Sequence, residues 1–166
     1  MKKCFAPLTA PNPKILILGT MPGEDSLAME EYYGHGRNAF WPIMFKFFGA
    51  EFSADYNVKK RLITGGGLAL WDTVASCKRE GSLDSDIKDI APNDINGFIK
   101  KHPSIRQVFF NGKSAEKFYF KYNTRLEGVE YIPLPSTSPA YAAKSFDFKL
   151  KAWSAALCKG LSKNYL

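Results

Sequence analysis

Polar side chains that can bind a ligand or move a proton follow the short apolar segments of this chain. Asp72 directly follows the second apolar run, and Asn38 lies in the loop after the first, just before Phe40 and Trp41. An amide can hold a water or recognise a base edge, a carboxylate can accept hydrogen bonds or orient a water, and an aromatic ring can stack on a base. This combination predicts a pocket for a flat, polar heterocycle.

The first apolar run ends in a loop that is suited to line such a pocket. The run breaks at Gly19, and Thr20, Met21 and Pro22 follow. The loop has neither the GK[ST] ending of a Walker loop nor a GxGxxG pattern, and proline removes an N–H donor that a phosphate would need. We therefore expect these four residues to form a pocket wall rather than a phosphate cradle.

Structural interpretations remain open for the same side chains. Asn38 is a suitable N-cap for the helical pattern that follows it, and Asp72 could cap a helix that begins at Thr73. Phe40 and Trp41 could both belong to the core. Because adjacent helical positions point in different directions, we expect only one of the two rings to face the pocket.

The third apolar run ends at Asn111, which is followed by Gly112 and Lys113. If the strands are parallel, Asn111 lies at the same sheet edge as the other polar strand ends. Lys113 and the more distant Lys144 could contact phosphate groups, or they could be solvated surface lysines.

The fourth apolar run leads into a loop that holds three hydroxyl side chains between two prolines. These residues are Ser136, Thr137 and Ser138, which lie between Pro135 and Pro139. Hydroxyl and backbone N–H groups bind phosphate oxygens, and proline stiffens a loop. The loop is therefore a candidate for holding a DNA backbone, and the alternative is a tight turn in which Ser138 caps a helix.

The elements that position these residues alternate between strand-like and helical patterns. This alternation predicts an α/β fold, a three-layer α/β/α sandwich around a four-stranded parallel sheet with right-handed crossovers. The predicted strands are Lys14–Leu18, Leu68–Trp71, Ile105–Phe110 and Val129–Leu134, and the predicted helices are Asn38–Phe48, Asn93–Lys101, Ser114–Tyr122 and Phe146–Leu161.

Composition indicates one soluble domain spanning residues 1–166. The net charge of +7 favours partners rich in phosphate. No apolar run is long enough for a membrane span and no signal peptide is evident, so we expect a cytoplasmic protein with no membrane partner. Cys4, Cys77 and Cys158 form no CxxC pair, which favours reduced thiols and no metal site.

Five segments carry a resemblance to a known family. The segment YYGHGRNAFW is similar to a YYGHxxNxFW pattern, and it occurs in order with ILGTMPGE, LALWDTVASCKREGSLDSDI, VFFNGKSA and LPSTSPAYA. Together these segments resemble the uracil-DNA glycosylase superfamily, and most closely its hypoxanthine-DNA (deoxyinosine) glycosylase branch.

The resemblance implies a flipped-base mechanism and assigns roles to the matching residues. Asn38 is the implied catalytic amide, Phe40 the ring that stacks on the base, and Asp72 a residue at the base edge. The other implied base-binding residues are Gly19, Thr20, Met21, Pro22, Trp71 and Asn111. The implied DNA-binding residues are Lys113, Ser136, Thr137, Ser138, Pro139 and Lys144.

Two positions depart from the pattern of many superfamily members. Met21 and Pro22 stand where an acidic or amide residue is common, and Leu134 stands where a histidine is common. Asparagine cannot deprotonate water at neutral pH, so the implied mechanism is dissociative, with an oxocarbenium-like sugar and a stabilised leaving base.

The implied function is base excision repair by a monofunctional glycosylase that removes hypoxanthine from DNA, with uracil and xanthine as further candidates. It needs no cofactor, and we expect a monomer. Two alternatives stay open at this point. One is a non-catalytic nucleic-acid-binding module, and the other is a hydrolase of small nucleotides or nucleosides.

Overall fold

Seven β-strands and six α-helices occur within residues 1–162, which are the residues that the computed structural model describes. In chain order they are β1 (Lys2–Lys3), β2 (Ile15–Gly19), α1 (Glu24–Met29), α2 (Phe40–Phe47), α3 (Tyr56–Gly65), β3 (Leu68–Asp72), β4 (Val74–Lys78), β5 (Lys88–Pro92), α4 (Ile95–Lys101), β6 (Gln107–Asn111), α5 (Lys113–Tyr122), β7 (Glu130–Leu134) and α6 (Phe146–Ser162). A 3₁₀ turn covers Asp84–Asp86.

The central sheet has four parallel strands in the order β3–β2–β6–β7. Strand β2 is completely buried, and its residue Ile17 lies opposite Leu70 on one side and Phe109 on the other. A strand that is covered on both faces is apolar throughout, which is why this segment was recognisable from its sequence. The predicted α/β class and the four-stranded parallel sheet are confirmed.

Helices cover both faces of the sheet, because successive side chains of a strand point in opposite directions. Ile15 and Ile17 pack with residues of α2, α3 and α6, whereas Leu16 and Leu18 pack with residues of α4 and α5. The result is the predicted three-layer sandwich. No helix within residues 1–162 has the length and apolar character of a membrane span.

A second, antiparallel sheet in the order β1–β4–β5 was not predicted. The chain passes from β3 to β4 through Thr73 alone, whose N–H donates to the carbonyl of Gly19. The alternative in which Asp72 caps a helix is therefore wrong, because residues 74–78 pair with two remote strands. Helices α1 and α3 were also missed, and the latter begins after Asp55, whose Oδ1 accepts from the N–H of Asn57.

Helix α6 approaches the sheet closely at Gly160, and this contact gives a stability prediction. A Cβ on Gly160 would overlap Gln107 Oε1 and lie 2.9 Å from Ile15 Cδ1. We expect Gly160→Ala to lower the free energy of unfolding by about 1–3 kcal/mol, because overpacking outweighs the gain in helix propensity.

Gly65→Ala is the matched control, since Gly65 is exposed, helical and has no atom within 4 Å of the added Cβ. It should leave stability unchanged or raise it by up to about 1 kcal/mol. Urea unfolding of both variants provides the measurement, and equal effects would contradict the close helix–sheet contact.

Candidate active site

The carboxyl ends of the parallel strands border one crevice with a volume of about 600 Å³. This is the size range of pockets that hold small organic ligands. Most of the predicted site residues line it, namely Gly19, Thr20, Met21, Pro22, Asn38, Asp72, Asn111, Ser136, Thr137, Ser138 and Pro139.

Phe40 does not face this crevice. Its side chain has no exposed area, and it packs edge-on against Trp41 and Trp153. The expectation that Phe40 stacks directly on a base is wrong for this structure, because the first turn of α2 points the ring into the core. Tyrosines line the crevice instead, namely Tyr32, Tyr33 and Tyr141, and the ring of Tyr33 packs on Phe40 with a centroid distance of 4.2 Å. The two adjacent tyrosines of the YY segment were a signal for aromatic residues at the site. Residue types alone do not show that Tyr33, and not Phe40, lines the crevice.

Two further predicted residues lie away from the crevice. Trp71 packs beside Phe98, and its Nε1 donates to the carbonyl of Phe5 at 3.1 Å. Trp71 and Asp72 are neighbours in a strand, so their side chains lie on opposite faces and only Asp72 reaches the site. Lys113 is exposed at the start of α5 and is absent from the residues that line the crevice within the described chain.

Asn38 combines the two interpretations that its sequence position left open. Its Oδ1 accepts from the N–H of Phe40 at 2.9 Å and so supports the start of α2. The half-buried residue also lines the crevice, and no hydrogen bond from its Nδ2 occurs within residues 1–162. The amide can therefore cap the helix with its oxygen and keep its two N–H donors available.

Asp72 and Tyr33 bring unpaired oxygen atoms to the floor of the crevice. Asp72 is 3% exposed, and neither its Oδ2 nor the Tyr33 hydroxyl has a hydrogen-bond partner among the described residues. Gly19 makes room for both, because a Cβ there would lie 2.5 Å from Asp72 Oδ1 and 3.0 Å from the Tyr33 hydroxyl. Buried polar atoms without partners are rare in proteins, and here they border a cavity that a ligand could fill.

The pKa of Asp72 is raised to about 7, chiefly because burial disfavours its charged form. The negative charge of Asp84 raises this pKa further, and the positive charge of Arg79 opposes both effects. Burial also raises the pKa of the Tyr33 phenol, which stays protonated at neutral pH.

Asp84 and Arg79 are site residues that the sequence analysis did not identify. The Arg79 side chain is completely buried, donates through Nη2 to the carbonyl of Pro22, and places Nη1 3.8 Å from Asp84 Oδ1. It thereby joins the first loop to the 3₁₀ turn that carries Asp84 into the crevice. In the sequence, only the cluster of charged residues in REGSLDSD indicated that Arg79 and Asp84 interact. Their contact with the first loop could not be predicted, because it requires β4 to return beside that loop.

Asn111 lines the crevice and also holds the fourth loop in place. Its Nδ2 donates to Thr137 Oγ1, and its Oδ1 accepts from the Thr137 N–H, both at 2.9 Å. The carbonyl of Thr137 in turn accepts from the N–H of Ala39 at 3.0 Å. Asn111 therefore positions the fourth loop, its Nδ2 carries a second N–H, and the predicted contact with a base stays a prediction.

A smaller cavity of about 280 Å³ adjoins the crevice at Asn38 and Pro139. We call it the basic groove, and its charged and aromatic walls are Arg37, Tyr141, Lys144, Phe146 and Lys149. Lys144, predicted to bind DNA, lies here and not in the crevice.

Lys149 is the buried cation of the basic groove. Its Nζ donates to the carbonyl of Ser138 at 3.3 Å and lies 5.3 Å from the centre of the Tyr141 ring. Burial lowers the pKa of Lys149 from its usual value. The lysine thus supports the fourth loop from the side of the groove.

Comparisons with known proteins agree with this geometry. The family model of the uracil DNA glycosylase superfamily matches residues 6–157. A hypoxanthine DNA glycosylase of Methanosarcina barkeri is 34% identical over 156 residues, which are 93% of this chain and 97% of that protein. One of Methanosarcina acetivorans is 34% identical over 143 residues, covering 84% and 88%. The solution NMR structure of a candidate uracil DNA glycosylase from Methanosarcina acetivorans superposes with a TM-score of 0.80 at 31% identity, covering 96% of this chain and 98% of that one.

The buried acid predicts an unusual dependence of stability on pH. Because the pKa of Asp72 is about 7 in the folded protein and 3.8 for a freely solvated aspartic acid side chain, the folded state retains a proton that the unfolded state releases. The stabilisation that comes from the raised pKa of Asp72 is complete below pH 4 and is lost as the pH rises to 7. Above pH 7 the ionisation of Asp72 no longer changes the free energy of unfolding.

Asp72→Asn should remove this loss, which amounts to at most about 4 kcal/mol. Urea unfolding at pH 5 and pH 8 measures it as a difference between wild type and variant. Asp86→Asn, at an exposed position of the 3₁₀ turn, is the control and should follow the wild type. A stability difference between Asp72→Asn and wild type that is the same at both pH values would contradict the raised pKa.

Proposed function

The chain belongs to the uracil DNA glycosylase superfamily, and from this premise we propose that it is a monofunctional DNA repair glycosylase. Its principal substrate is hypoxanthine in DNA, with uracil and xanthine as further bases. The observation that carries the proposal is the crevice that Asn38, whose N–H donors are free within residues 1–162, lines together with Asp72 and Tyr33, each of which has an oxygen atom without a partner there.

The base must leave the DNA helix to reach this crevice, because the polar groups lie at a buried sheet edge and cannot approach a glycosidic bond within a stacked duplex. The crevice then offers the base one aromatic wall and two oxygen atoms, from Tyr33 and Asp72. A purine or pyrimidine has both the flat face and the polar edge that these groups complement.

Asn38 is the catalytic amide of the proposal. Its N–H donors can hold the attacking water or the leaving base, whereas its oxygen remains bound to the start of α2. An amide is not a base, so the glycosidic bond breaks first and a positioned water captures the sugar cation late. Water is the only second reactant that this hydrolysis requires.

The fourth loop and the basic groove hold the DNA strand in this proposal. Hydroxyl and backbone N–H groups of Ser136–Pro139 and the cations Lys144 and Arg37 lie beside the crevice mouth and suit phosphate oxygens. The net charge of +7 attracts DNA over longer distances. One chain supplies both cavities, which supports a monomeric enzyme.

Replacing Asn38 tests the catalytic role directly. Asn38→Ser keeps an oxygen that can cap α2 but removes the amide donors, and Asn38→Ala removes both. We expect both variants to release hypoxanthine from a deoxyinosine oligonucleotide about 10²–10³ times more slowly, as is typical for loss of a positioned donor. Abasic sites formed without added metal, and cleaved by alkali, are the readout.

Thermal unfolding separates the two effects of these substitutions, since only Asn38→Ala should lose the cap. Full activity in either variant would contradict the role of Asn38.

Two outcomes for the wild type favour the alternatives. DNA binding without base release indicates a binding module, and free deoxyinosine cleaved as fast as the oligonucleotide indicates a nucleoside hydrolase.

The basic groove yields a second test of the same proposal. We expect Lys144→Ala to raise KM several-fold, to leave kcat almost unchanged, and to reduce the salt dependence of DNA binding by about one phosphate contact. Lys121→Ala, in the last turn of α5 and away from both cavities, is the control. If Lys144→Ala and Lys121→Ala showed the same salt dependence of DNA binding, this would contradict the placement of the DNA strand in the basic groove.

A further inference from the structure

Four acidic residues line the crevice, namely Glu24, Asp25, Asp72 and Asp84. The negative charge of Asp84 acts on Asp72, and the two residues come from different parts of the chain. Asp72 ends the buried strand β3, and Asp84 begins the 3₁₀ turn that follows β4. Asp72 is 3% exposed and has an Oδ2 without a partner among the described residues, whereas the Asp84 side chain is 39% exposed. The mechanism described so far uses no proton from either group.

The surroundings of the two carboxyl groups are unequal. Burial raises the pKa of Asp84, but hydrogen bonds with Thr20 and Ser114 and the charge of Arg79 act in the opposite direction, and the side chain is partly exposed to solvent. Asp72 is surrounded by Tyr33, Tyr32 and Cys4, all of which are neutral at pH 7, and by the charges of Arg79 and Asp84. Since two neighbouring carboxyl groups in a poorly solvated site do not both ionise readily, Asp84 takes the charge and Asp72 keeps the proton.

We propose that protonated Asp72 is a general acid toward purine substrates and that Asp84 is the positioning residue that keeps Asp72 protonated. The inference rests on the proposed function and extends it. It uses the Oδ2 atom that has no partner within residues 1–162, in a side chain that lines the crevice a base would occupy.

Atoms and charge balance in the proposed step. The O–H bond of Asp72 breaks and a bond forms from that proton to a ring nitrogen of the purine. The electron pair of the bond between the sugar and N9 passes to the purine, which departs as a neutral base. Water then bonds to the sugar carbon and loses a proton, which returns the Asp72 carboxylate to its acid form directly or through solvent.

This chemistry distinguishes purines from pyrimidines. Hypoxanthine and xanthine carry ring nitrogens with lone pairs away from the glycosidic bond, and protonation there makes them better leaving groups. The remaining ring nitrogen of uracil already carries a hydrogen. The acid should therefore accelerate release of hypoxanthine far more than release of uracil.

Single-turnover base release between pH 5 and pH 9 tests the inference, with deoxyinosine and deoxyuridine oligonucleotides as substrates. For deoxyinosine we expect the rate to fall as the pH rises through about 7, where burial and Asp84 place the pKa of Asp72. Asp84→Asn removes a negative charge and should move this fall to lower pH. Asp86→Asn, exposed in the same turn and not among the crevice residues, should not move it.

Asp72→Asn should abolish the fall and slow deoxyinosine cleavage by about 10²-fold or more, the usual contribution of a general acid. Deoxyuridine cleavage by this variant should also slow, because Asp72 contributes to base binding, but by a smaller factor than deoxyinosine cleavage, because no ring nitrogen of uracil takes the proton.

Superimposable pH profiles for Asp84→Asn and Asp86→Asn, or equal losses on both substrates in Asp72→Asn, would overturn the acid pair while leaving glycosylase activity established. Absence of base release by the wild type at every pH would instead overturn the proposed function, and the acid pair with it. Should Asp72→Asn fail to fold, the Asp84→Asn profile decides alone.

Discussion

Thr137 ties together the two segments that carry the candidate chemistry. Its N–H and hydroxyl oxygen pair with the amide of Asn111 at the end of a central strand, and its carbonyl accepts from Ala39 at the start of α2. The side chain is almost completely buried, so these bonds do not compete with solvent. The position of Asn38 relative to the fourth loop is therefore set by the rigid edge of the sheet, and a loop rich in hydroxyl groups becomes part of a defined site.

The same edge of the sheet holds ionisable groups whose burial costs free energy. Arg79 is buried with one carbonyl partner and a distant carboxylate, and Asp72 has an oxygen that no described residue pairs. Unpaired buried polar atoms cost free energy, which the fully buried strands and the covering helices offset through apolar contact. Two such atoms, Asp72 Oδ2 and the Tyr33 hydroxyl oxygen, belong to side chains that line the crevice, where a ligand could complete their hydrogen bonds.

The sequence predicted most of the fold and about half of the residues that line the crevice, and the difference has a physical reason. Buried parallel strands consist largely of apolar residues, so strands β2 and β6 were recognisable without any partner. Strand β4 was not, because its identity depends on antiparallel pairing with β1, which is remote in sequence, and with β5, which follows after the 3₁₀ turn. The outward turn of Tyr33 and the inward turn of Phe40 depend on packing, which residue types alone do not determine.

The first loop has no acid at Met21, and the structure shows which contact this residue makes instead. Met21, at the position where many superfamily members have an acidic or amide residue, packs with Val74 and Cys77 and so joins the loop to the second sheet. That sheet in turn leads to the 3₁₀ turn with Asp84, while β3 supplies Asp72 at the same edge. Because the ends of parallel strands converge on one crevice, carboxyl groups can enter it from different segments. The first loop thus contributes an apolar contact at Met21, whereas Asp72 and Asp84 reach the crevice from β3 and from the 3₁₀ turn.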